Sequence, residues 1–289
     1  MAQPEFAAEQ FEALRPLLFS IAYRMLGSVR DAEDLVQEAY LRYQAADHAA
    51  IRSPKAFLTT VITRLSIDHL RSAQAQRETY FGAWLPEPLL TDPASEPDSI
   101  AALNESLSVA FLVLLEKLNP VERAVFLLRE VFDYDYPTIA EVVGKSESAC
   151  RQAFHRAREA IHHDRLRFRS TPEEHHVVFG RFLQACMQGD LRGLESVLAE
   201  DVVSTSDGGG KAIAATRTLT GVKAVSAFFI GLMKRAPADV EYELAPVNGR
   251  TSLIVRQGGT VTVVITATVS EGKISAIWAV LNPDKLHGL

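Results

Sequence analysis

The residues best suited to chemistry lie in the run PTIAEVVGKSESACRQAFHRAR, Pro137 to Arg158. Its spacing predicts a helix, a tight turn and a second helix. Gly144 can take the positive φ of the turn, Ala140 is small enough for close crossing, and Cys150 fits where a small apolar group must plug the angle. Ile139, Val143, Ala153 and Phe154 supply the remaining core, and Ser146 is suited to cap the second helix. The other face of that helix then carries Ser148, Ala149, Arg151, Gln152, His155, Arg156 and Arg158. Such a face can hydrogen-bond base edges and neutralise phosphate, with Arg151 and Gln152 expected at bases and the later arginines at the backbone. A plain helical hairpin with a solvated basic face would show the same local pattern, so the rest of the chain has to decide.

Other chemistries find less support. Asp201, Asp207 and His287 are the residue types of a general acid or base, yet no pair among them is fixed by spacing. Asp207, Gly208, Gly209, Gly210 and Lys211 resemble a phosphate loop only superficially: Ala212 follows the lysine, and Thr205 stands where the earlier glycine is required. The run reads as a tight turn that lets another segment come close. His162-His163 and His175-His176 point about 100 degrees apart within each pair on a helix, so neither pair makes a chelate. No catalytic residue, metal or cofactor is assigned. Cys150 and Cys186 have no metal or disulfide-framework spacing and read as reduced, buried thiols. No leader and no apolar run of roughly 18 residues is apparent, and a cytoplasmic protein without a membrane partner is expected.

The elements that hold the basic face can be traced from periodicity. Leu14, Leu17, Leu18, Ile21 and Ala22, then Leu35, Val36, Ala39, Tyr40 and Tyr43, recur at helical spacing, with Gly27 as a stop and Ser28 as the next cap. A third helix follows Pro54. Between Gln76 and Ser99 come Trp84, Pro86, Pro88, Pro93 and Pro97, a semi-extended linker. A second helical block runs from about Ile100 to Phe168, with a cap and box at Asn119-Pro120-Val121-Glu122. Thr171 starts a third region with helices to about Val197. Period-two, β-branched strands are then expected at Val240 to Leu244, Ser252 to Arg256, Thr260 to Val269 and Lys273 to Leu281, with one helix at Val222 to Lys234. The net charge of −6 opposes a uniformly basic protein. Its distribution matters more: arginines at 151, 156, 158, 165, 167 and 169 sit apart from the acids Asp31, Glu33, Asp34 and Glu38.

On these residues the chain resembles bacterial RNA polymerase sigma factors. PTIAEVVGKSESACRQAFHRAR, preceded by LNPVERAVFLLREVFDYDY, looks like the region that binds the minus-thirty-five element. AYRMLGSVRDAEDLVQEAYLRY resembles the helix that docks on the polymerase clamp, and SPKAFLTTVITRLSIDHLRS the helix that meets the minus-ten element. The resemblance implies core RNA polymerase and promoter DNA as partners. It implies polymerase contacts at Asp31, Glu33, Asp34, Gln37, Glu38 and Arg42, and minus-ten contacts at Lys55, Thr59, Thr63, Arg64 and Arg71, with a base-reading side chain on the loop Asp47 to Ser53. The absence of an intervening region three marks the extracytoplasmic-function group.

From Thr171 the chain is similar to polyketide-cyclase-like (SnoaL-like) and nuclear-transport-factor-2-like cone folds, and WLPEP, DGGGK and NPDKL look like a subgroup's signatures. The expected architecture is two all-α sigma domains, the second with a helix-turn-helix, plus a C-terminal α+β cone-shaped domain. The expected division is 1–76, a linker 77–99, 100–170 and 171–289. An interdomain regulatory role is expected for Trp84, Pro86, Pro88, Asp207 to Lys211, and Asn282, Pro283, Asp284, Lys285 and Leu286. Three roles for the C-terminal domain stay open: internal regulator, small-ligand sensor, or cyclase-type or isomerase-type enzyme.

Overall fold

The computed structural model describes residues 4–77, 80–91, 107–165 and 170–289. Pro93, Pro97, Ile100, Arg167 and Arg169 lie outside the described residues. The helices are α1 Pro4–Leu26, α2 Val29–Ala45, α3 Pro54–Arg77, α4 Val109–Leu115, α5 Pro120–Glu130, α6 Tyr136–Val143, α7 Glu147–Arg165, α8 Pro172–Gln188, α9 Leu191–Val197 and α10 Val222–Lys234. The strands are β1 Leu198–Asp207, β2 Leu219–Thr220, β3 Val240–Val247, β4 Arg250–Gln257, β5 Thr260–Ser270 and β6 Lys273–Val280. The chain divides into two compact units, Met1–Glu78 with Leu114–His162 and Thr79–Val113 with His163–Leu289.

In the helical unit, α1 presents Leu18, Ile21, Ala22 and Met25 to Val36, Ala39 and Tyr43 of α2 and to Leu58 and Ile62 of α3, all buried. Burying each large aliphatic side chain contributes about 1.5 to 3 kcal/mol. Local signals set the helix ends. The Ser28 hydroxyl accepts from the Asp31 N–H at 3.2 Å. Asn119 and Glu122 complete a reciprocal capping box at the start of α5. Arginine then satisfies carbonyls left open where helices end. The Arg123 guanidinium, 3% exposed, donates to the Met25 carbonyl at the end of α1 at 2.7 Å and pairs with Glu116 at 2.8 Å. Val125, Leu128, Ile139, Ala140, Val142, Cys150 and Ala153 form the core shared by α5, α6 and α7.

The second unit is a six-stranded sheet in the order β2-β1-β6-β5-β4-β3. It is mixed: β1, which periodicity did not reveal, runs parallel to β6. Register shifts between Val255 and Arg256 and between Thr268 and Val269 mark bulges, which bend a sheet. On β4 successive side chains go to opposite faces. Leu253 and Val255 join Phe179, Phe182, Val225 and Phe229 from α8 and α10 in one core, whereas Ile254 belongs to a second core with Val264, Val280, Leu85 and Leu286. The second face is therefore covered by the linker residue Leu85 and by the C-terminal turn.

Candidate functional site

The helix-turn-helix is built as its residue types require. Asp135 caps α6, accepting from the Thr138 N–H at 3.0 Å, and hydrogen bonds from the Thr138 side chain and then its N–H hold the carboxyl below the usual range. Gly144 ends α6 at φ 66, a left-handed position a Cβ would strain. Ser146 accepts from the Ala149 N–H at 3.3 Å. Cys150 is buried, and burial pushes its thiol pKa up. On the outer face Ser148, Arg151, Gln152, His155, Arg156 and Arg158 are exposed and Ala149 is half-buried. Some of these already hold acids: Arg156 pairs with Glu122 at 2.8 Å, His155 lies 3.2 Å from Glu159, and Arg151 lies 3.5 Å from Glu147. Arg156 is thus tied to the capping box of α5, because Glu122 uses its other oxygen there.

On α2, Asp34 and Gln37 are exposed, Glu33 pairs with Arg15, Glu38 pairs with Arg42 at 2.8 Å, and Asp31 lies 3.6 Å from His69. The α3 set divides. Lys55 and Arg71 are exposed, Arg71 pairing with Asp68 at 3.1 Å. Thr59 and Thr63 are fully buried. The Thr59 hydroxyl meets the Tyr134 hydroxyl at 3.1 Å. The Arg64 guanidinium donates to the carbonyls of Val142 and Glu141 at 2.8 Å each, the open end of α6. In this conformation the expected strand-facing surface of α3 is therefore closed at Thr59 and Thr63, and at Arg64 the donors are already in use. Thr59 meets Tyr134, in the turn before α6, and Thr63 is buried without a hydrogen-bond partner, whereas Arg64 stays exposed with its guanidinium engaged by the end of α6.

The linker and glycine motifs converge within the second unit on one buried carboxylate. Asp207 is 0% exposed. It accepts from the Tyr80 hydroxyl at 2.6 Å, the Leu85 N–H at 2.9 Å and the Lys285 ammonium at 2.7 Å. Lys285 also donates to the Leu85 carbonyl at 2.6 Å, and its ammonium stands 4.3 Å from the Trp84 ring centre and 5.0 Å from that of Tyr80. Asn282 donates to the Tyr80 hydroxyl at 2.9 Å, and burial followed by the Asp207 hydrogen bond raises the phenol's pKa. The glycine run makes the close approach. Gly209, at φ 57, has no room for a Cβ beside the Asn282 amide and the Tyr80 hydroxyl, while Gly210 faces Phe81. Lys211 pairs with Asp284. Pro86 and Pro88 are buried, Pro283 is exposed, and Leu286 enters the second core. Further along, Asn248, 1% exposed and at φ 52, accepts from the Leu89 N–H at 3.1 Å and donates to the Leu107 carbonyl at 3.0 Å. Tyr80 and Asn248 escape sequence reasoning, because nothing local distinguishes a tyrosine ahead of a proline run, or an asparagine in a strand turn, from ordinary connecting residues.

The acid-base candidates are not gathered: Asp207 is enclosed in this cluster, whereas Asp201 and His287 are exposed elsewhere. Among the described residues no group of three potential ligands could hold a metal, and no helix is long and apolar enough to cross a membrane. His175 is 1% exposed, and its Nε2–H donates to the Ala267 carbonyl at 3.0 Å. The pairing of β4 with β5 stops at Leu253 and Ile265, two residues before Ala267. The neighbouring cavity, lined by His175, Arg250, Thr266, Thr268 and Trp278, measures about 20 Å³, room for about one water.

Comparison with known proteins matches these units to known ones. Residues 10–76 match the family described as Sigma-70 region 2, and residues 108–161 match Sigma-70, region 4. The chain is 42% identical to the ECF RNA polymerase sigma factor SigJ of Mycobacterium tuberculosis, over 96% of this chain and 93% of that protein. It is 32% identical to the probable ECF RNA polymerase sigma factor SigI of the same species, over 100% of this chain and 98% of that protein. The crystal structure of the M. tuberculosis extracytoplasmic function sigma factor SigJ superposes with a TM-score of 0.78 at 39% identity, covering 97% of this chain and 98% of that one.

Proposed function

The chain belongs to the extracytoplasmic-function RNA polymerase sigma factors, and from that premise we propose that it binds core RNA polymerase and directs initiation at its own set of promoters. The observation that carries the DNA-reading assignment is the exposed recognition face of α7, with Arg151 and Gln152 open to solvent on a helix whose opposite side is packed. Arg151 and Gln152 read base edges of the minus-thirty-five element, whereas Arg158 neutralises phosphate. Asp34, Gln37 and Glu38, with Asp31, Glu33 and Arg42 beside them, dock on polymerase. Lys55 and Arg71 meet the minus-ten strand, and Thr59, Thr63 and Arg64 join them once α3 parts from α6. Residues 1–76, 100–170 and 171–289 act as the two promoter modules and a regulator, joined by 77–99.

The C-terminal domain acts through the linker and is not itself catalytic. The enclosure of Asp207 by Tyr80, Leu85 and Lys285 supports this reading, since a carboxylate with three donors and no solvent is a structural tie. The cavity beside His175, with room for about one water, gives no support to a small-ligand sensor there. The test is run-off transcription by core polymerase with the full-length chain. Asp34→Lys and Glu38→Lys are expected to weaken polymerase binding while the fold is kept, and unchanged binding by both would refute the docking face. Trp84→Ala is expected to alter transcript yield without altering the fold of either sigma region, and wild-type yield would refute regulation through the linker.

A further inference from the structure

The first residue of α6, Tyr136, has no role in the assignments above, yet it touches the residue on which base reading depends. The Arg151 guanidinium carbon stands 4.3 Å from the centre of the Tyr136 ring. The ring is itself fixed: Phe154 meets it edge-on at 6.2 Å and 80°. Arg129, 5.4 Å from the same ring centre, donates to the Tyr134 carbonyl at 2.9 Å and so holds the turn that delivers Tyr136. Asp135, capping α6, fixes the residue immediately before it.

A guanidinium stacked on a ring uses its flat face, and its N–H donors stay free at the edge. The bidentate contact to guanine O6 and N7 uses that same edge. Stacking and base reading are therefore compatible. A long exposed arginine otherwise loses rotamer freedom when it engages a base, and a ring beneath it removes part of that loss in advance. Glu147, at 3.5 Å, competes only at the limit of hydrogen-bond reach. Lysine could not replace this arrangement, since an ammonium has no plane to stack and no fork to present.

We infer that Tyr136 is a positioning residue for promoter recognition, holding the Arg151 guanidinium flat with its donor edge presented to a guanine of the minus-thirty-five element. This rests on the reading of Arg151 as a base contact. The expected size follows from exposed cation-ring contacts, which correspond to roughly a twofold to fivefold change in selectivity.

The experiment uses holoenzyme assembled from core polymerase and the full-length chain, selecting from promoter duplexes randomised across the minus-thirty-five element. Wild-type protein is expected to enrich guanine at one position, and Arg151→Ala and Arg151→Lys to abolish that enrichment. Tyr136→Phe is expected to keep it, while Tyr136→Leu and Tyr136→Met lower it roughly twofold to fivefold at that position alone. The dependence of binding on salt should be unchanged in Tyr136→Leu, whose arginine charge remains, and weaker in Arg151→Ala. Adding Tyr136→Leu to Arg151→Ala should cause no further loss. Full guanine enrichment in both Tyr136→Leu and Tyr136→Met overturns the inference, as does an equal loss at every position, which would indicate a disturbed helix pair. Enrichment that survives Arg151→Ala would instead overturn the base-reading assignment, and the inference with it.

Discussion

Replacing Lys285 with methionine tests the tie between linker and C-terminal domain at its most charged point. In the native structure the two Asp207 oxygens share three donors, and the carboxylate is 0% exposed. Methionine keeps most of the apolar stem but removes the cation, leaving a buried carboxylate with two neutral donors, the Tyr80 hydroxyl and the Leu85 N–H. Removing one partner of a buried ion pair costs about 3 to 5 kcal/mol. Much of that loss should appear as easier release of residues 80–91, because Lys285 also holds the Leu85 carbonyl at 2.6 Å and faces the Trp84 ring. Amide hydrogen exchange reads this release, since the Leu85 N–H donates directly to Asp207. A loss of 3 kcal/mol corresponds to roughly 150-fold faster exchange through opening. The double variant Asp207→Leu with Lys285→Met, which removes both charges, should recover part of the loss. Two results would refute the reasoning: wild-type protection at Leu85 in Lys285→Met, or an equal drop throughout β5 and β6, which would mean that the pair supports the whole domain and not the linker.

Three further outcomes are expected. Burial holds the His175 pKa down from 6.5 to about 4, with the Arg250 and His176 charges adding to it and the Ala267 hydrogen bond opposing it. The unfolded chain therefore binds the proton first as pH falls, so this contribution is complete above about 6.5 and is lost on the way to 4, amounting to about 3 kcal/mol. Acid titration of unfolding free energy should show a shallower fall over that window for His175→Phe than for wild type, and equal slopes would refute it. Gly209→Ala places a Cβ at φ 57 against the Asn282 amide and the Tyr80 hydroxyl, so it should cost at least about 1 to 2 kcal/mol and speed Leu85 exchange as Lys285→Met does; unchanged exchange would contradict the close approach. Arg64→Ala uncovers the Val142 and Glu141 carbonyls and should weaken the α3 to α6 contact by about 1 to 3 kcal/mol, measured as faster exchange across α6, with unchanged exchange counting against it.

Local chemistry was legible wherever a signal and its consequence lie within a few residues. The caps at Ser28, Asn119 and Thr171 and the left-handed Gly144 each act on backbone groups three or four positions away. The strands β4 to β6 announced themselves by β-branched alternation. Strand β1 did not: from Ser204 to Asp207 every residue is buried, so no polar face alternates with an apolar one. Strand β2 has only two residues, too few for any period.

Turn chemistry and periodicity act along the chain, so most elements, their ends and the helix that carries the basic face were readable from the residues alone, with β1 and β2 the exceptions. What the polar residues do depends on packing between distant segments. Thr59 and Arg64 read as an open surface on α3, yet they find partners 75 and 78 positions away in Tyr134 and Val142. Asp207 read as part of a glycine turn, yet it is enclosed by groups from residues 80, 85 and 285. A buried polar group is stable only when its donors and acceptors are matched, and in each of these cases the match comes from a segment that no local pattern could identify.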